Sequence, residues 1–154
     1  MSKLVKATNS VEQTKKLGIL LGEELRTFSG SKNHAFCLAL TGELGSGKTL
    51  FVQGLARGLG ISSRIQSPTF VFMKRYGLKR SSFDNMWHID LYRLEKDSEL
   101  GAIGFSEVVT DRKNIVVVEW AERIRRHLPK DTLWIIFTHE KPESRLITFT
   151  HEKR

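Results

Sequence analysis

The sequence predicts an α/β protein built as a three-layer sandwich around a mixed central β-sheet. Two nearly continuous apolar runs, residues 35–40 and 115–118, have the length and composition of strands that are covered on both faces. Amphipathic helical patterns alternate with these runs, which is typical of strands and helices that stack in layers. Two further pairs of strand-like runs are each separated by a turn, so we expect hairpins to add antiparallel strands to the sheet.

The first half of the chain is predicted to contain a helix, a strand and a second helix. Ser10 and Gln13 form a capping-box pattern, and apolar residues recur at near-helical spacing over residues 11–28. The apolar run 35–40 follows as a central strand. A glycine-rich turn then leads into a helix that we expect over residues 48–59.

The second half continues as strands and short helices. A basic, turn-rich loop separates the strand-like runs 70–76 and 86–92, which indicates an antiparallel pair with a long loop. The remaining predicted elements, in chain order, are one or two short helices over 97–110, a strand over 115–118, a short helix over 121–128, and a hairpin of 133–139 and 145–151.

Length and composition exclude several classes of protein. The 154 residues are 40% hydrophobic and 27% charged, which predicts one globular domain over residues 1–154 and excludes a disordered chain. No apolar stretch approaches the roughly 18 residues that span a bilayer, and the N-terminus lacks a signal-peptide pattern. We therefore expect a cytoplasmic protein without membrane contact. Cys37, the single cysteine, lies in an apolar run and is predicted to be a core residue.

The chain is basic, with a formal net charge of +8. Such an excess suits an anionic partner such as nucleic acid, and it equally suits a solvated surface. Four of the cations, Lys74, Arg75, Lys79 and Arg80, surround one predicted hairpin with no acid among them. Charge alone leaves both interpretations of this cluster open.

Residues 42–49 read Gly-Glu-Leu-Gly-Ser-Gly-Lys-Thr and match the phosphate-binding pattern G-x-x-x-x-G-K-[ST] at every position. The octet lies between a predicted buried strand and a predicted helix, as this motif requires. Small residues let backbone N–H groups face a phosphate, and the helix N-terminus adds unpaired N–H groups and a positive dipole end. We expect Lys48 to contact the β- and γ-phosphates of a nucleotide and Thr49 to ligate Mg²⁺. The motif thus favours a P-loop NTPase-like fold.

Nucleotide contacts are predicted along the whole loop and at the residue after it. Leu50 stands where many such loops carry a second hydroxyl residue, so only its backbone N–H is available to an α-phosphate. The predicted cofactor-binding residues of this segment are Glu43, Leu44, Gly45, Ser46, Gly47, Lys48, Thr49 and Leu50.

Two acidic residues end apolar runs and are candidates for holding the metal. Asp90 ends the run His-Ile-Asp, and Glu119 follows residues 115–118. The carboxyl ends of parallel strands face the ligand crevice, so either acid can lie near the phosphates. His88 and Tyr92 are expected on the same strand face as Asp90, in a supporting role.

Four motifs in this order and spacing resemble the bacterial TsaE (YjeE) family. They are the loop 42–49, SPTF at 67–70, HIDLYRL at 88–94 and VEWAER at 118–123. The resemblance implies an accessory subunit that binds and hydrolyses ATP in the biosynthesis of threonylcarbamoyladenosine (t6A), a modified adenosine of tRNA. It further implies TsaD and TsaB as partners, tRNA contact through that complex, and ATPase activity that is weak alone and stimulated by the partners.

The resemblance also implies roles for individual residues. Lys48 holds phosphates and, with Asp90 and Glu119, forms the expected catalytic set. Thr49 and Glu119 are the implied Mg²⁺ ligands, and Asp90 organises the metal or the attacking water. Thr69 is the implied nucleotide-binding residue of a switch-like loop.

Two other functions share the phosphate loop and stay open at this point. A small-molecule kinase needs an arginine-bearing lid, which Arg123, Arg125 and Arg126 can imitate. A nucleotide-gated assembly module would bind ATP with negligible hydrolysis. A GTPase is disfavoured, because the chain lacks the N-K-x-D sequence that reads guanine.

Overall fold

The protein is described by a computed structural model that covers residues 2–68 and 72–151. Its strands are β1 (Lys3–Thr8), β2 (Phe36–Thr41), β3 (Met73–Gly77), β4 (Asn85–Asp90), β5 (Asn114–Glu119), β6 (Leu133–Lys141) and β7 (Ser144–His151). Its helices are α1 (Val11–Leu25), α2 (Lys48–Gly58), α3 (Ser98–Ala102) and α4 (Phe105–Thr110), followed by a 3₁₀ helix over Ala121–His127.

The strands form one seven-stranded sheet in the order β1-β7-β6-β2-β5-β4-β3. The four central strands β6, β2, β5 and β4 are parallel, whereas β3 and β7 run antiparallel to their inner neighbours and β1 antiparallel to β7. The mixed α/β sheet predicted from the sequence is therefore confirmed, including both hairpins.

Helices cover both faces of this sheet, because side chains of each central strand point alternately to opposite sides. On one face, Leu38 and Val117 belong to a core with α2. On the other face, Cys37 and Val116 belong to a second core with α3, α4 and the 3₁₀ helix. Cys37 is buried, as predicted, and burial together with the nearby Asp131 raises the pKa of its thiol to about 12.

Helices α1 and α2 approach each other through glycines rather than through large apolar side chains. A Cβ atom on Gly54 would lie 2.1 Å from the carbonyl oxygen of Lys15, and one on Gly18 would lie 2.3 Å from that of Phe51. Gly22 and Gly58, each four residues further along its helix, meet the opposite helix in the same way. The backbones are in contact, so no side chain fits between them.

The structure confirms part of the apolar face that the spacing predicted for α1, because Leu25 is buried and Leu17 and Leu21 pack against the core. The buried positions of the helix are Thr14, Gly18, Gly22 and Leu25, whereas Val11 and Leu20 are exposed. Helix α1 also ends at Leu25 instead of residue 28, and the Phe28 ring packs edge-on against Phe36.

Strand β1 occupies residues 3–8, for which no element was predicted. Only Thr8 of this edge strand is buried, so the strand leaves no apolar pattern and forms through backbone pairing with β7. Strand β4 ends at Asp90, so Tyr92 lies beyond the strand and not on its face as predicted. Within residues 2–68 and 72–151, no helix is long and apolar enough to cross a bilayer.

Candidate nucleotide-binding site

Three parallel strands end together at one edge of the sheet. The register pairs Leu40 of β2 with Glu119 of β5, and Glu119 in turn with Asp90 of β4. The phosphate-binding loop leaves β2 directly after this point, so the loop and both acids surround one cavity of about 420 Å³. Parallel pairing thus brings together cavity residues as far apart in the chain as Leu44 and Trp120, which are separated by 76 positions.

The loop takes the conformation that its glycines allow. Gly42, Gly45 and Gly47 have φ values of 150°, 76° and 104°, which residues with a Cβ atom rarely adopt. Gly47 precedes α2 and makes no side-chain cap, so the N-terminus of this eleven-residue helix has N–H groups available to an anion. The sequence prediction of a phosphate-binding loop agrees with this geometry.

Lys48 is buried and is held by the loop itself. Its Nζ donates to the carbonyl oxygens of Gly42 and Glu43, at 2.9 Å for the latter, and to Ser46 Oγ at 3.3 Å. Burial lowers the pKa of the Lys48 ammonium, and the nearby carboxylates of Glu119, Glu122 and Asp90 oppose that shift. A buried cation with neutral carbonyl partners is suited to exchange them for phosphate oxygens.

Glu119 has a partner on each carboxylate oxygen. The Thr49 hydroxyl donates to Oε1 at 2.8 Å, and Nε2 of the fully buried His88 lies 2.6 Å from Oε2. An ionised carboxylate only accepts hydrogen bonds, so the hydrogen of this contact belongs to His88 Nε2. His88, expected to support Asp90, therefore contacts Glu119 on the neighbouring strand.

Asp90 is held by the loop that follows α2 and by its own chain. The Ser67 hydroxyl donates to Oδ2, and the backbone N–H of Tyr92 donates to Oδ1 at 3.0 Å. Ser67 also lines the cavity. Ser67 belongs to the predicted SPTF motif, but its contact with Asp90 is visible only in the folded chain.

Trp120 forms a wall of the cavity directly after Glu119. Its backbone is left-handed, with φ of 61°, and its ring centroid lies 4.3 Å from Lys48 Nζ and 5.1 Å from that of Tyr92. The ring also packs on the core beneath the sheet. Left-handed non-glycine residues cluster at functional sites, because the surroundings must hold them in that conformation.

The hairpin of β6 and β7 holds the loop from the side opposite the acids. Arg145 Nε donates to the carbonyl oxygen of Ser46 at 2.8 Å, and His139 Nε2 lies 3.2 Å from that of Gly45. Arg145 is buried, and a Cβ on Gly47 would lie 3.1 Å from its Nε. Sequence reasoning missed both side chains, because no local pattern marks a residue that acts about 100 positions away.

The predicted nucleotide-contacting residues mostly surround this cavity. Residues 44–50 line it, including the exposed Leu44 and the partly buried Leu50. Glu43 is exposed and contributes its carbonyl oxygen to Lys48 instead. Thr69 lies outside the described residues.

Comparison with known proteins identifies the family to which this geometry belongs. The family model for "Threonylcarbamoyl adenosine biosynthesis protein TsaE" matches residues 8–147. The chain belongs to the TsaE family. The TsaE protein of Bacillus subtilis is 39% identical over 113 residues, which cover 73% of this chain and 68% of that protein. The TsaE protein of Nostoc sp. is 37% identical over 141 residues, covering 90% and 80%.

A solved TsaE-like structure agrees with the fold. The crystal structure of Bacillus subtilis YdiB superposes with a TM-score of 0.73 at 31% identity, over 97% of this chain and 86% of that one. The relatives are tRNA threonylcarbamoyladenosine biosynthesis proteins by name, which confirms the family and the functional class that the four sequence motifs predicted.

Proposed function

We propose that this TsaE-family protein binds ATP with Mg²⁺ and hydrolyses it as an accessory subunit of tRNA threonylcarbamoyladenosine synthesis. One observation carries the proposal: Lys48, Thr49, Glu119 and Asp90 line a single cavity at the carboxyl edge of three parallel strands. A cation, a hydroxyl and two carboxylates beside a phosphate-binding loop are the groups that phosphoryl transfer to water requires.

The donor set of the cavity fits Mg²⁺. The Thr49 hydroxyl hydrogen is directed at Glu119, which leaves the lone pairs of Oγ1 free for a cation. Within the described residues, no three His, Cys, Asp or Glu side chains are grouped to hold a metal by themselves. This suits Mg²⁺, which takes one or two protein ligands and completes its shell with phosphates and water. Bound there by Thr49 and Glu119, it would neutralise charge on the phosphates.

Lys48 and Asp90 then have separate tasks. Lys48 exchanges its carbonyl partners for the β- and γ-phosphate oxygens and stabilises their charge. Asp90 keeps its orientation through Ser67 and the Tyr92 N–H, and each of its oxygens retains a lone pair for a water molecule. Orienting that water toward the γ-phosphorus is its proposed contribution to catalysis.

We further propose TsaD and TsaB as the partners that the protein serves and that raise its weak intrinsic ATPase activity. The family descriptions support a place in t6A synthesis. The γ-phosphate would act on partner binding through the loop that carries Ser67, because Ser67 contacts Asp90 at the cavity.

The contacts of Arg123 and Arg125 argue against the alternative function of a small-molecule kinase. Arg123 Nη1 donates to the carbonyl oxygen of Leu94 at 2.9 Å, and its guanidinium faces Trp120 at 5.8 Å. The Arg125 guanidinium lies 4.2 Å from the Trp134 ring. These contacts hold both side chains against the protein, whereas a lid must be free to close over a second substrate.

Reconstitution tests the proposal. The protein is combined with TsaD, TsaB, tRNA, threonine, bicarbonate and the enzyme that makes threonylcarbamoyl-adenylate, and both t6A and released phosphate are followed over several turnovers. We expect the partners to stimulate hydrolysis, and we expect Lys48→Ala to abolish repeated turnover while the exposed-lysine control Lys16→Ala retains it. Equal turnover without the protein, or efficient phosphorylation of a small metabolite by the protein alone, would contradict the accessory-ATPase function. Repeated turnover without ATP hydrolysis would instead identify a nucleotide-gated assembly module.

A further inference from the structure

A second cavity, of about 480 Å³, lies between α1, α2 and the loop that follows α2. The described part of its lining contains three cationic side chains, Lys15, Arg57 and Arg64, together with the hydroxyls of Ser62 and Ser63, and no acidic side chain. No described residue lines both this cavity and the nucleotide cavity. The two cavities are therefore separate sites.

The cations of this second cavity are not neutralised by the protein. None of the ion pairs in residues 2–68 and 72–151 involves Lys15, Arg57 or Arg64. Surface cations are commonly dispersed among acids, so three unpaired cations around one concavity concentrate positive potential there. An anion entering the cavity would meet this potential without displacing a carboxylate.

The framework around the cations is held in place from two sides. The close contact of the glycines fixes the α1 backbone at Lys15 against Gly54 of α2. Gln53 Nε2 donates to the carbonyl oxygen of Ile65 at 3.4 Å, which ties the loop carrying Arg64 to the same helix. The three cations therefore project from backbone segments whose relative positions are fixed.

The chemistry of the lining selects a phosphate group. Guanidinium, ammonium and serine hydroxyl groups donate hydrogen bonds that phosphate oxygens can accept. An arginine can donate two parallel hydrogen bonds to two oxygens of one phosphate. Among the residues that the structure describes, the lining holds no aromatic ring on which a base could stack, so it is suited to a nucleic-acid backbone and not to a nucleobase. We propose that this cavity binds backbone phosphates of tRNA directly.

This inference goes beyond the proposed function, in which tRNA contact runs through the partner proteins. The proposed site is also different from the basic cluster at 74–80, whose cations lie along the exposed edge strand β3 and the loop after it. Contacts to phosphates confer affinity without reading sequence, so the site would serve tRNAs of different sequence alike.

Direct binding to a fluorescently labelled, unmodified tRNA transcript tests the proposal. The affinity of the wild-type protein is measured over a range of salt concentrations, beside the double variant Arg57→Ala with Arg64→Ala. A control double variant, Lys16→Ala with Lys113→Ala, removes the same charge from exposed positions outside the cavity. We expect the cavity variant to bind about tenfold more weakly and to lower the slope of log affinity against log salt by about 2, because two phosphate contacts are lost. The control should retain most of the affinity and slope.

Two further measurements separate this site from the nucleotide site and from other anions. The cavity variant should bind ATP in calorimetry as the wild type does, and Lys48→Ala should bind tRNA as the wild type does. Absence of tRNA binding by the wild type, or equal loss in the cavity and control variants, would overturn the proposal. Displacement of tRNA by polyglutamate at an equal concentration of charge would also overturn it, in favour of an acidic protein surface.

Discussion

Thr49 and Glu119 lie 70 positions apart in the sequence, and the Thr49 hydroxyl donates a 2.8 Å hydrogen bond to Oε1 of Glu119. This bond joins the first turn of α2 to the end of β5. The phosphate-binding loop and the strand-end acid are thereby held at one spacing before any ligand arrives. Such preorganisation matters because phosphoryl transfer depends mainly on positioning and electrostatics.

Replacement of Lys48 is expected to weaken triphosphate binding severely. Charge-assisted hydrogen bonds contribute about 1.5–3 kcal/mol each, so Lys48→Ala should raise the dissociation constant for ATP by about 10- to 100-fold. Calorimetry on the folded variant measures the change, with Lys16→Ala as the control. An unchanged ATP affinity in Lys48→Ala would remove this side chain from the phosphate site.

The two strand-end acids should be required for hydrolysis but not for folding. Asp90→Asn keeps the shape of the side chain but removes its charge, and we expect ATP hydrolysis to fall about 100-fold or more. Glu119→Gln should in addition require more Mg²⁺ for half-maximal activity, because a metal ligand is weakened. The matched control is Glu122→Gln, an exposed acid near Lys48 that does not line the cavity. Wild-type hydrolysis by either variant would exclude that acid from the site.

His88 is predicted to be a positioning residue for Glu119. Its Nε2 lies 2.6 Å from Glu119 Oε2, and groups that orient a metal ligand commonly contribute about 10- to 100-fold to affinity or activity. His88→Leu should therefore raise the Mg²⁺ concentration needed for hydrolysis, whereas His88→Gln, which retains a donor, should restore part of the difference. A purely structural role would lower the unfolding free energy of His88→Leu and leave the Mg²⁺ requirement of the folded enzyme unchanged.

The glycine contact between α1 and α2 should be intolerant of a single methyl group. A Cβ on Gly54 would lie 2.1 Å from the Lys15 carbonyl oxygen, so Gly54→Ala must separate the helices and should lower the unfolding free energy by about 1–3 kcal/mol. A Cβ on Gly101 of α3 would have no described atom within 4 Å beyond its chain neighbours and the backbone of its own helix. Gly101→Ala should therefore raise the unfolding free energy by about 0.5–1 kcal/mol. Urea unfolding of both variants measures these opposite signs, and equal effects would argue against the close contact.

Cys37 should be unreactive in the native protein, and ionisation of its thiol on unfolding should lower the unfolding free energy at high pH. Burial raises the thiol pKa from 9.0 to about 12, so a thiol reagent at pH 8 should modify Cys37 only after unfolding. Between pH 9 and 12 the unfolded chain loses the thiol proton and the folded chain keeps it, so stability falls as pH rises. Cys37→Val should show a smaller fall over that interval than the wild type in denaturant titrations. Rapid modification of the native thiol at pH 8 would contradict its burial.

Much of the fold was predictable because its signals are local. The continuous apolar run of strand β2 indicates that both of its faces are buried. The glycines of the loop 42–49 allow the backbone conformation that the loop adopts. The strand-end positions of Asp90 and Glu119 also follow from the runs that precede them. The roles proposed for these side chains remain predictions that the variants above will test.

Other features depended on groups that are distant in the chain. The apolar spacing of α1 identified the buried Leu25, but it also included Val11 and Leu20, which are exposed. It gave no sign that Gly18 and Gly22 are buried, which happens because α2 approaches the backbone of α1. Strand β1 forms by pairing with β7, and its side chains are mostly exposed, so the sequence has no alternation of apolar and polar residues that would predict a strand. A close backbone approach and an edge-strand pairing are both properties of two segments, so neither segment encodes them alone.

By itself, the sequence determined the α/β layering, the phosphate-binding loop and the family, because each rests on contiguous residues whose chemistry and spacing are sufficient. Only the tertiary structure decided that His88 meets Glu119, that Ser67 meets Asp90 and that Arg145 holds the carbonyl of Ser46. The physical reason is the range of these interactions. A hydrogen bond forms over about 3 Å in space, whatever the number of residues between its partners in the chain. The partners can therefore be identified only when the strands are placed in register.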